Sequence, residues 1–193
     1  MIAAIPLRSF DSAKTRLAEE LPPDTRAAVA AAVAARVATA CLAADWRVVV
    51  VSSAPDVVAW CASHHLDTLA DPGGGLNAAA TAAATTAVGP WMVIHGDLPL
   101  VTAADLDGVA EAIRGGSVVL APSRDGGTNV VAAAGPFRFA YGPGSFARHL
   151  AAAAPRRPVT MIREGLAVEL DTPADLRATL RHPEGRWLNE FLS

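Results

Sequence analysis

Apolar residues follow two patterns along the chain: short runs rich in valine and isoleucine, and longer alanine-rich stretches with polar residues at helical spacing. Short apolar runs bounded by turn residues are typical of buried strands, and the longer stretches favour helix. The predicted strands are Ile2–Ile5, Arg47–Ser52, Asp67–Ala70, Trp91–His95, Ser117–Ala121, Val130–Ala133 and Ala167–Leu170. The predicted helices are Thr25–Leu42, Pro55–His64, Leu76–Val88, Thr102–Arg114, Ser145–Ala154 and Pro173–Arg181. This alternation predicts an α/β fold.

The composition excludes several classes of protein. A chain of 193 residues, 52% of them apolar, is long enough for one domain over residues 1–193 and argues against long disorder. A net charge of −3 gives no basic footprint for nucleic acid. No alanine run reaches the length and apolarity of a membrane span, and the N-terminus lacks the charged region of a signal peptide. Cys41 and Cys61 are expected to be buried thiols in a reducing compartment, which predicts a cytoplasmic protein without membrane contact.

The central strand ends at a carboxylate. Trp91–His95 is followed by Gly96 and Asp97, and Pro99 then stops the strand. Ligands of open α/β sheets bind at the carboxyl ends of the strands. A buried carboxylate needs a partner, and a divalent metal is the simplest one. The alternative is that Asp97 caps the next helix.

That alternative is weaker, because Thr102 is better placed as the cap, with Asp105 as the acid of a capping box. Asp171 repeats the situation of Asp97. It follows the predicted strand Ala167–Leu170 and precedes a helix that begins at Pro173. We therefore expect Asp97 and Asp171 to hold Mg²⁺ together.

A basic loop follows the first strand. It carries Arg8, Lys14 and Arg16, and Lys14 is the one lysine among 16 basic residues. A lysine ammonium is a compact charge suited to a phosphate oxygen, so we expect these residues, Lys14 above all, to hold a triphosphate. The alternative is an ordinary solvated surface.

Two glycine-bearing loops offer further anion sites. Gly75, Leu76 and Asn77 follow two other glycines at the start of a helix, where free backbone N–H groups favour a nucleotide phosphate. A plain flexible loop is the alternative. Thr128 ends a second loop, and Ser145 opens a helix as its expected N-cap.

The stretch before the predicted helix Ser145–Ala154 is also rich in glycine. Gly142, Gly144 and Ala147 match a dinucleotide fingerprint, but they come late in the chain and Pro143 stiffens the turn, so we reject that interpretation. The same stretch, from Gly142 to Ser145, can hold one phosphate at the start of its helix.

Together these features predict nucleotidyl transfer. An acceptor oxygen attacks the α-phosphorus of a nucleoside triphosphate and pyrophosphate leaves, which requires positioning and charge neutralisation by groups such as Lys14, Asp97 and Asp171. No Ser-His-Asp order or activated cysteine indicates a covalent intermediate.

Six segments carry a resemblance to a known family. They are Ala13–Leu17, Gly75–Ala79, Asp97–Leu100, Ala121–Asn129, Gly142–Phe146 and Leu170–Leu176. In these segments the chain resembles the guanylyltransferases of coenzyme F-420 biosynthesis, which use phosphoenolpyruvate or 2-phospho-L-lactate. The pair Ala121–Asn129 and Gly142–Phe146 is specific, whereas the Asp-Leu-Pro turn is shared by many sugar-nucleotide transferases. The likeness spans nearly the whole chain, with Arg8 where the family usually has lysine and His95-Gly96 where a smaller pair is usual.

The resemblance implies a single-domain Rossmann-like nucleotidyltransferase fold (GT-A/MobA-like), with a mostly parallel sheet in a three-layer α/β/α arrangement. It also implies metal at Asp97 and Asp171, and the phosphorylated acid at Thr128, Gly142 and Ser145. The substrates would be GTP and either acid, with the next enzyme of the pathway as a candidate partner.

Four properties of the protein stay open. The residues do not choose between the two acids, do not fix guanine as the base and do not give the number of metals or the oligomeric state. The alternatives are another enzyme of this fold with a molybdopterin or sugar-phosphate acceptor, and a catalytically idle nucleotide-binding domain.

Overall fold

The computed structural model describes residues 1–192, which form one seven-stranded sheet in the order β3-β2-β1-β4-β6-β5-β7. The strands are β1 (Ile2–Pro6), β2 (Arg47–Val51), β3 (Asp67–Leu69), β4 (Trp91–Ile94), β5 (Val119–Pro122), β6 (Thr128–Ala133) and β7 (Val159–Thr160). The helices are α1 (Pro23–Ala43), α2 (Pro55–Ser63), α3 (Leu76–Thr86), α4 (Val109–Arg114), α5 (Ser145–Ala153), α6 (Glu164–Ala167) and α7 (Pro173–Arg181). Short 3-10 helices cover Thr15–Leu17, Ala103–Leu106, Ala154–Arg156 and Pro183–Phe191.

The sheet lies between two layers of helices because its strands are apolar on both faces. Along β4, Met92 and Ile94 pack on one face, while Trp91 and Val93 pack on the other. Helices α1, α2 and α4 cover the first face, and α3 and α5 cover the second. The predicted mostly parallel α/β/α architecture is confirmed.

Strand β6 runs antiparallel to both of its neighbours, β4 and β5. Its first residue, Thr128, therefore lies at the edge of the sheet where β1 and β4 end. The backbone of Asn129 continues the pairing there, because its carbonyl accepts a hydrogen bond from the N–H of His95 at 2.9 Å. This reversal places the loop before β6 beside the Asp97 turn.

Two predicted elements are wrong in form. The strand predicted at Ala167–Leu170 is instead the end of α6 followed by an extended segment that pairs with no neighbouring strand in the part of the chain described. The segment still joins the sheet edge, since the Leu170 N–H donates to the carbonyl of Asp97 at 3.0 Å. The single helix predicted at Thr102–Arg114 is two pieces, because Gly108 has φ of 82° between the 3-10 turn and α4.

Other differences are smaller. The short edge strand β7 has no predicted counterpart, and β6 begins at Thr128 rather than Val130. Helix α1 runs for 21 residues and is, by length and composition, apolar enough to cross a membrane, so the expectation that no stretch reaches that length is wrong. Its Val29, Val33 and Val37 are fully buried against the rest of the fold, a setting that such a helix also suits.

The C-terminal segment packs back onto the fold through Trp187 and Phe191. The indole N–H of Trp187 donates to the carbonyl of Pro99 at 3.2 Å, and Arg36 of α1 donates to the carbonyl of Val101 at 3.0 Å. These two bonds hold the turn that follows Asp97. Ser193 lies outside the described residues.

Candidate active site

Lys14 lies between the two predicted metal carboxylates. Its ammonium Nζ is 3.2 Å from Asp97 Oδ2 and 3.0 Å from Asp171 Oδ1, and only 7% of its side chain is exposed. The loop after β1 reaches this position through a left-handed turn, with φ of 53° at Lys14 itself. Asp97 and Asp171 are 83 and 157 positions away from Lys14 in sequence, so only the fold brings the three residues together.

The charges of this group stabilise one another. Burial by itself would lower the pKa of Lys14, but the attraction of Asp97 and Asp171 raises it above its ordinary value. Burial would likewise raise the pKa of Asp97, yet Lys14 and His95 lower it overall. The lysine is therefore cationic, and Asp97 anionic, across the neutral range.

A third carboxylate, which the sequence analysis missed, lies in the same place. Glu169 Oε1 is 3.3 Å from His95 Nδ1, and ligand atoms of His95, Asp97 and Glu169 all lie within 4.8 Å of one another. Glu169 precedes Asp171 by two residues in an extended segment, and this spacing puts both side chains on one side of the chain. That alternation was the available signal. We refer to Asp97, Glu169 and Asp171 as the carboxylate cluster.

The carboxylate cluster contains polar atoms that the described residues leave unpaired. Asp97 Oδ1 and His95 Nε2 are buried without a hydrogen-bond partner within residues 1–192. Buried polar atoms without partners are rare in folded proteins. Burial raises the pKa of Glu169. Burial by itself would lower the pKa of His95, but the hydrogen bond to Glu169 and the negative charge of Asp97 raise it overall. The oxygen-rich donor set, with a free oxygen on Asp97, fits a hard divalent cation.

A cleft of about 590 Å³ opens beside the cluster. It brings together most of the predicted nucleotide-binding and metal-binding residues. These are Arg8, Lys14, Gly75, Leu76, Asp97 and Asp171. Gly96 lies at its floor, where a Cβ atom would come within 2.4 Å of Leu7. The backbone after β4 therefore packs closely on the side chain of Leu7, which would have to move to admit a larger residue at position 96.

Two predicted nucleotide residues lie elsewhere. Arg16 is exposed and does not line the cleft. The side chain of Asn77 contacts the backbone of Tyr141, accepting from its N–H at 2.7 Å and donating to its carbonyl at 3.5 Å. Asn77 therefore ties the start of α3 to the loop before α5, and so connects the two glycine-bearing loops.

The predicted acceptor residues form a separate network. Thr128 Oγ1 lies 3.0 Å from Ser145 Oγ and 3.0 Å from His149 Nδ1, and all three side chains are buried. We call His149, Thr128 and Ser145 the hydroxyl chain. His149 lies one turn after Ser145 on α5, a spacing that places both on one face of the helix. His149 was not among the residues predicted from the sequence.

The start of α5 differs from the prediction. Gly144, with φ of 66°, is the N-cap, and Ser145 is the first helical residue, so its predicted capping role is wrong. Two of the N–H groups expected to be free are also engaged, because Ser145 donates to the carbonyl of Gly142 and Phe146 donates to that of Gly126. Hydroxyl groups, rather than these amides, are the polar groups that this end of α5 offers.

A protein-family model described as guanylyl transferase, CofC like, matches residues 1–193. The chain belongs to this guanylyl transferase family. A phosphoenolpyruvate guanylyltransferase of Sphaerobacter thermophilus is 36% identical over 94% of this chain and 93% of its own length. A 2-phospho-L-lactate guanylyltransferase of Methanothermobacter thermautotrophicus is 29% identical over 98% of this chain and 88% of its own. A 3-phospho-D-glycerate guanylyltransferase of Phenylobacterium zucineum is 39% identical over a shorter stretch, 62% of this chain and 59% of its own.

Solved structures share the fold of this guanylyl transferase family member. A nucleotidyl transferase from Methanothermobacter thermautotrophicus superposes with a TM-score of 0.63 at 18% identity, covering 100% of this chain and 98% of that one. Molybdopterin-guanine dinucleotide biosynthesis protein A from Archaeoglobus fulgidus gives 0.55 at 15% identity, covering 98% and 100%. These likenesses establish a nucleotidyltransferase fold of the GT-A/MobA type.

Proposed function

We propose that this protein transfers GMP from GTP to a phosphorylated three-carbon acid, phosphoenolpyruvate or 2-phospho-L-lactate, in coenzyme F-420 biosynthesis. The observation that carries the proposal is the carboxylate cluster at the carboxyl ends of β1 and β4, with the buried ammonium of Lys14 beside it. Anionic oxygens and a fixed cation at one point of a cleft suit a reaction that moves charge between phosphate oxygens. The relatives named for these two acids support the choice of substrates.

The chain's own residues would bind and orient the triphosphate. Gly75 has φ of 83° at the start of α3, so its backbone can approach a phosphate that a side chain would exclude. Arg8 and Lys14 line the same cleft and supply positive charge. Bringing an oxygen of the acceptor's phosphate to the α-phosphorus forms one P–O bond, and the bond to the β-phosphate breaks as pyrophosphate leaves.

A divalent cation, Mg²⁺ by the chemistry of its ligands, would be held by Asp97 and Asp171, with Glu169 as a further ligand. When bound, it would neutralise charge on the triphosphate oxygens. The fit rests on the buried, unpaired Oδ1 of Asp97. Lys14 contacts Asp97 and Asp171 directly, so it would keep these two carboxylates in place and lie close to the transferred phosphate.

The acceptor would bind at the other end of the site, at Thr128, Gly142 and Ser145. Gly142 has φ of 124° in the exposed loop before α5, and Thr128 starts the reversed strand β6. Because β6 runs against β4, this group and the Asp97 turn share one edge of the sheet. An acid bound there would face the nucleotide across that edge.

Two alternatives differ in their consequences. The relative named for 3-phospho-D-glycerate favours that acid as a second candidate acceptor, since it carries the same phosphate and carboxylate groups. An idle nucleotide-binding domain is less well supported, because pure binding requires no buried lysine between two acids with a third acid beside them. We further propose that the protein acts in the cytoplasm and hands its product to the next enzyme of the pathway.

The decisive experiment measures pyrophosphate release by the purified protein in Mg²⁺. GTP, ATP, CTP and UTP are each paired with phosphoenolpyruvate, 2-phospho-L-lactate and 3-phospho-D-glycerate, and each nucleotide without acceptor is the control. We expect release with GTP and one of the first two acids. Stabilisation by GTP in a thermal-shift assay without pyrophosphate from any acid would contradict the proposal and favour the idle domain.

A further inference from the structure

We infer that His149 is a positioning residue that sets the direction of the hydroxyl chain, so that the hydroxyl group of Ser145 presents its hydrogen to the anionic acceptor. The inference deepens the proposed function and rests on it for the identity of that acceptor. It concerns a residue that touches neither the cleft nor the carboxylate cluster and that acts through Thr128.

The direction of the chain begins at a backbone amide. The N–H of Ala140 lies 2.8 Å from His149 Nε2, and a backbone N–H can only donate. The Nε2 atom must therefore be the unprotonated acceptor nitrogen. A neutral imidazole carries its proton on the other nitrogen, so Nδ1–H donates to Thr128 Oγ1 at 3.0 Å.

The ring stays neutral because of its surroundings. His149 is fully buried, and burial, with Arg148 and His95 adding repulsion, lowers its pKa to about 4. Around neutral pH the ring therefore keeps one tautomer, with the proton on Nδ1 and the lone pair of Nε2 facing Ala140.

The next link follows from counting hydrogen atoms. Thr128 Oγ1 accepts from His149, and its own hydrogen has one acceptor within reach among residues 1–192, namely Ser145 Oγ at 3.0 Å. Either direction leaves one buried hydroxyl hydrogen without an acceptor among residues 1–192, because both side chains are buried. Thr128 Oγ1 already contacts both His149 and Ser145, whereas Ser145 Oγ contacts only Thr128, so Ser145 is the hydroxyl with room for a further partner. Thr128 therefore donates to Ser145.

The hydrogen of Ser145 is then the free end of the chain. Ser145 Oγ accepts from Thr128, and none of the described residues offers an acceptor to its hydrogen. A hydroxyl fixed in this way can only donate to a further partner, which suits a phosphate or carboxylate oxygen and disfavours a cation or a second donor. The structure thus assigns to His149 an indirect role: through two hydrogen bonds, it makes the hydroxyl group of Ser145 select an anion.

Two substitutions separate this role from simple packing. His149→Asn places an amide N–H near the position of Nδ1 and keeps a donor to Thr128, whereas His149→Leu fills the space and removes the donor. We expect His149→Leu to raise the KM for phosphoenolpyruvate about tenfold, the range of a lost bond to a charged group, with kcat and the KM for GTP within about twofold. His149→Asn should stay within about threefold of the parent for both substrates.

A double variant tests the connection through Thr128. Thr128→Val should raise the acceptor KM by itself, and adding His149→Leu should then change it little, because the link is already broken. Equal losses in His149→Asn and His149→Leu, or parallel changes in both KM values, would overturn the inference in favour of packing.

The tautomer gives a test that does not depend on activity or on the variants folding. Nitrogen NMR of the ¹⁵N-histidine-labelled full chain should show a neutral ring for His149 with the proton on Nδ1, before and after addition of phosphoenolpyruvate. A proton on Nε2 would refute the inference. If the parent protein releases no pyrophosphate with any acid, the proposed function fails, and the tautomer still decides the direction of the chain.

Discussion

The two ends of the proposed site are built in opposite ways. The carboxylate cluster is charged, and ion pairs to Lys14 hold Asp97 and Asp171 in place. Within residues 1–192, Asp97 Oδ1 and the neighbouring His95 Nε2 are buried without partners. The hydroxyl chain is neutral and buried, and each of its bonds is accounted for up to the hydroxyl hydrogen of Ser145.

The difference indicates two tasks. The charged, unpaired atoms of the carboxylate cluster would interact strongly with a metal ion and a triphosphate. Binding of these ligands would give the unpaired atoms their partners. The neutral hydroxyl chain has one donor left, the hydroxyl group of Ser145, and can only orient a ligand. Changes in the cluster should therefore affect turnover, whereas changes in the hydroxyl chain should affect stability and acceptor affinity.

The largest effect is expected at Asp97. Asp97→Asn removes the carboxylate charge while keeping the size of the side chain, and should lower pyrophosphate release at least about a hundredfold because charge neutralisation at the phosphates is lost. The control is Asp67→Asn, at the exposed edge strand β3, which should leave the rate unchanged. Near-parental release by Asp97→Asn in Mg²⁺ would remove the cluster from the mechanism.

The hydroxyl chain should appear in the stability of the protein instead. The folded pKa of His149, about 4, lies below its unfolded value of about 6.5, so the unfolded state takes up a proton first as pH falls. The stabilisation is present above pH 6.5 and is lost between pH 6.5 and 4. From pH 7 to 5 this group should remove about 2 kcal/mol from the free energy of unfolding.

Urea unfolding at several pH values measures that loss. His149→Asn does not titrate in this range and is the matched control, so its stability should fall by about 2 kcal/mol less over the same interval. The same slope in both proteins would mean that His149 is not held neutral by the fold.

A third prediction concerns the roles within the carboxylate cluster. Glu169→Gln should raise the Mg²⁺ concentration for half-maximal activity about tenfold, since removal of a carboxylate ligand or its support weakens metal binding. Asp171→Asn gives the comparison, because Asp171 also contacts Lys14. A change in half-saturation for Asp171→Asn alone would assign the metal to Asp97 and Asp171 without Glu169.

The smallest effect is expected for Lys14→Arg. The charge is kept, but a planar guanidinium does not fit a buried point contact between two carboxylates, so kcat should fall about fivefold. Steady-state kinetics with GTP measures the change, and Arg47→Lys, an exposed ion-paired residue on β2, is the matched control. If kcat of Lys14→Arg equalled that of the parent, Lys14 would contribute to stability alone.

Much of the fold followed from local pattern. The valine-rich runs and alanine-rich helices predict their own secondary structure, because apolar periodicity depends on near neighbours in the chain. The prediction of a strand at Ala167–Leu170 was wrong because the pattern reports only near neighbours. An apolar run does not show whether another strand has a free edge with which it can pair.

The candidate site was predictable only where a residue type and a strand end coincided. Asp97, Asp171 and Lys14 each stand out locally, and the structure brings them together in one contact. Glu169 and His149 do not stand out, since an acid in an extended segment and a histidine in a helix are common. Their importance lies in partners distant in sequence, Asp97 and Thr128.

The sequence by itself determined the alternation of strands and helices, the family likeness and the ends of strands where chemistry was expected. Tertiary structure alone decided that β6 runs backwards, that Lys14 lies between two carboxylates and that His149 directs two hydroxyl groups. The physical reason is range. Secondary structure and motifs arise from contacts within a few residues, whereas charge pairing and hydrogen-bond direction depend on which distant atoms share a buried space.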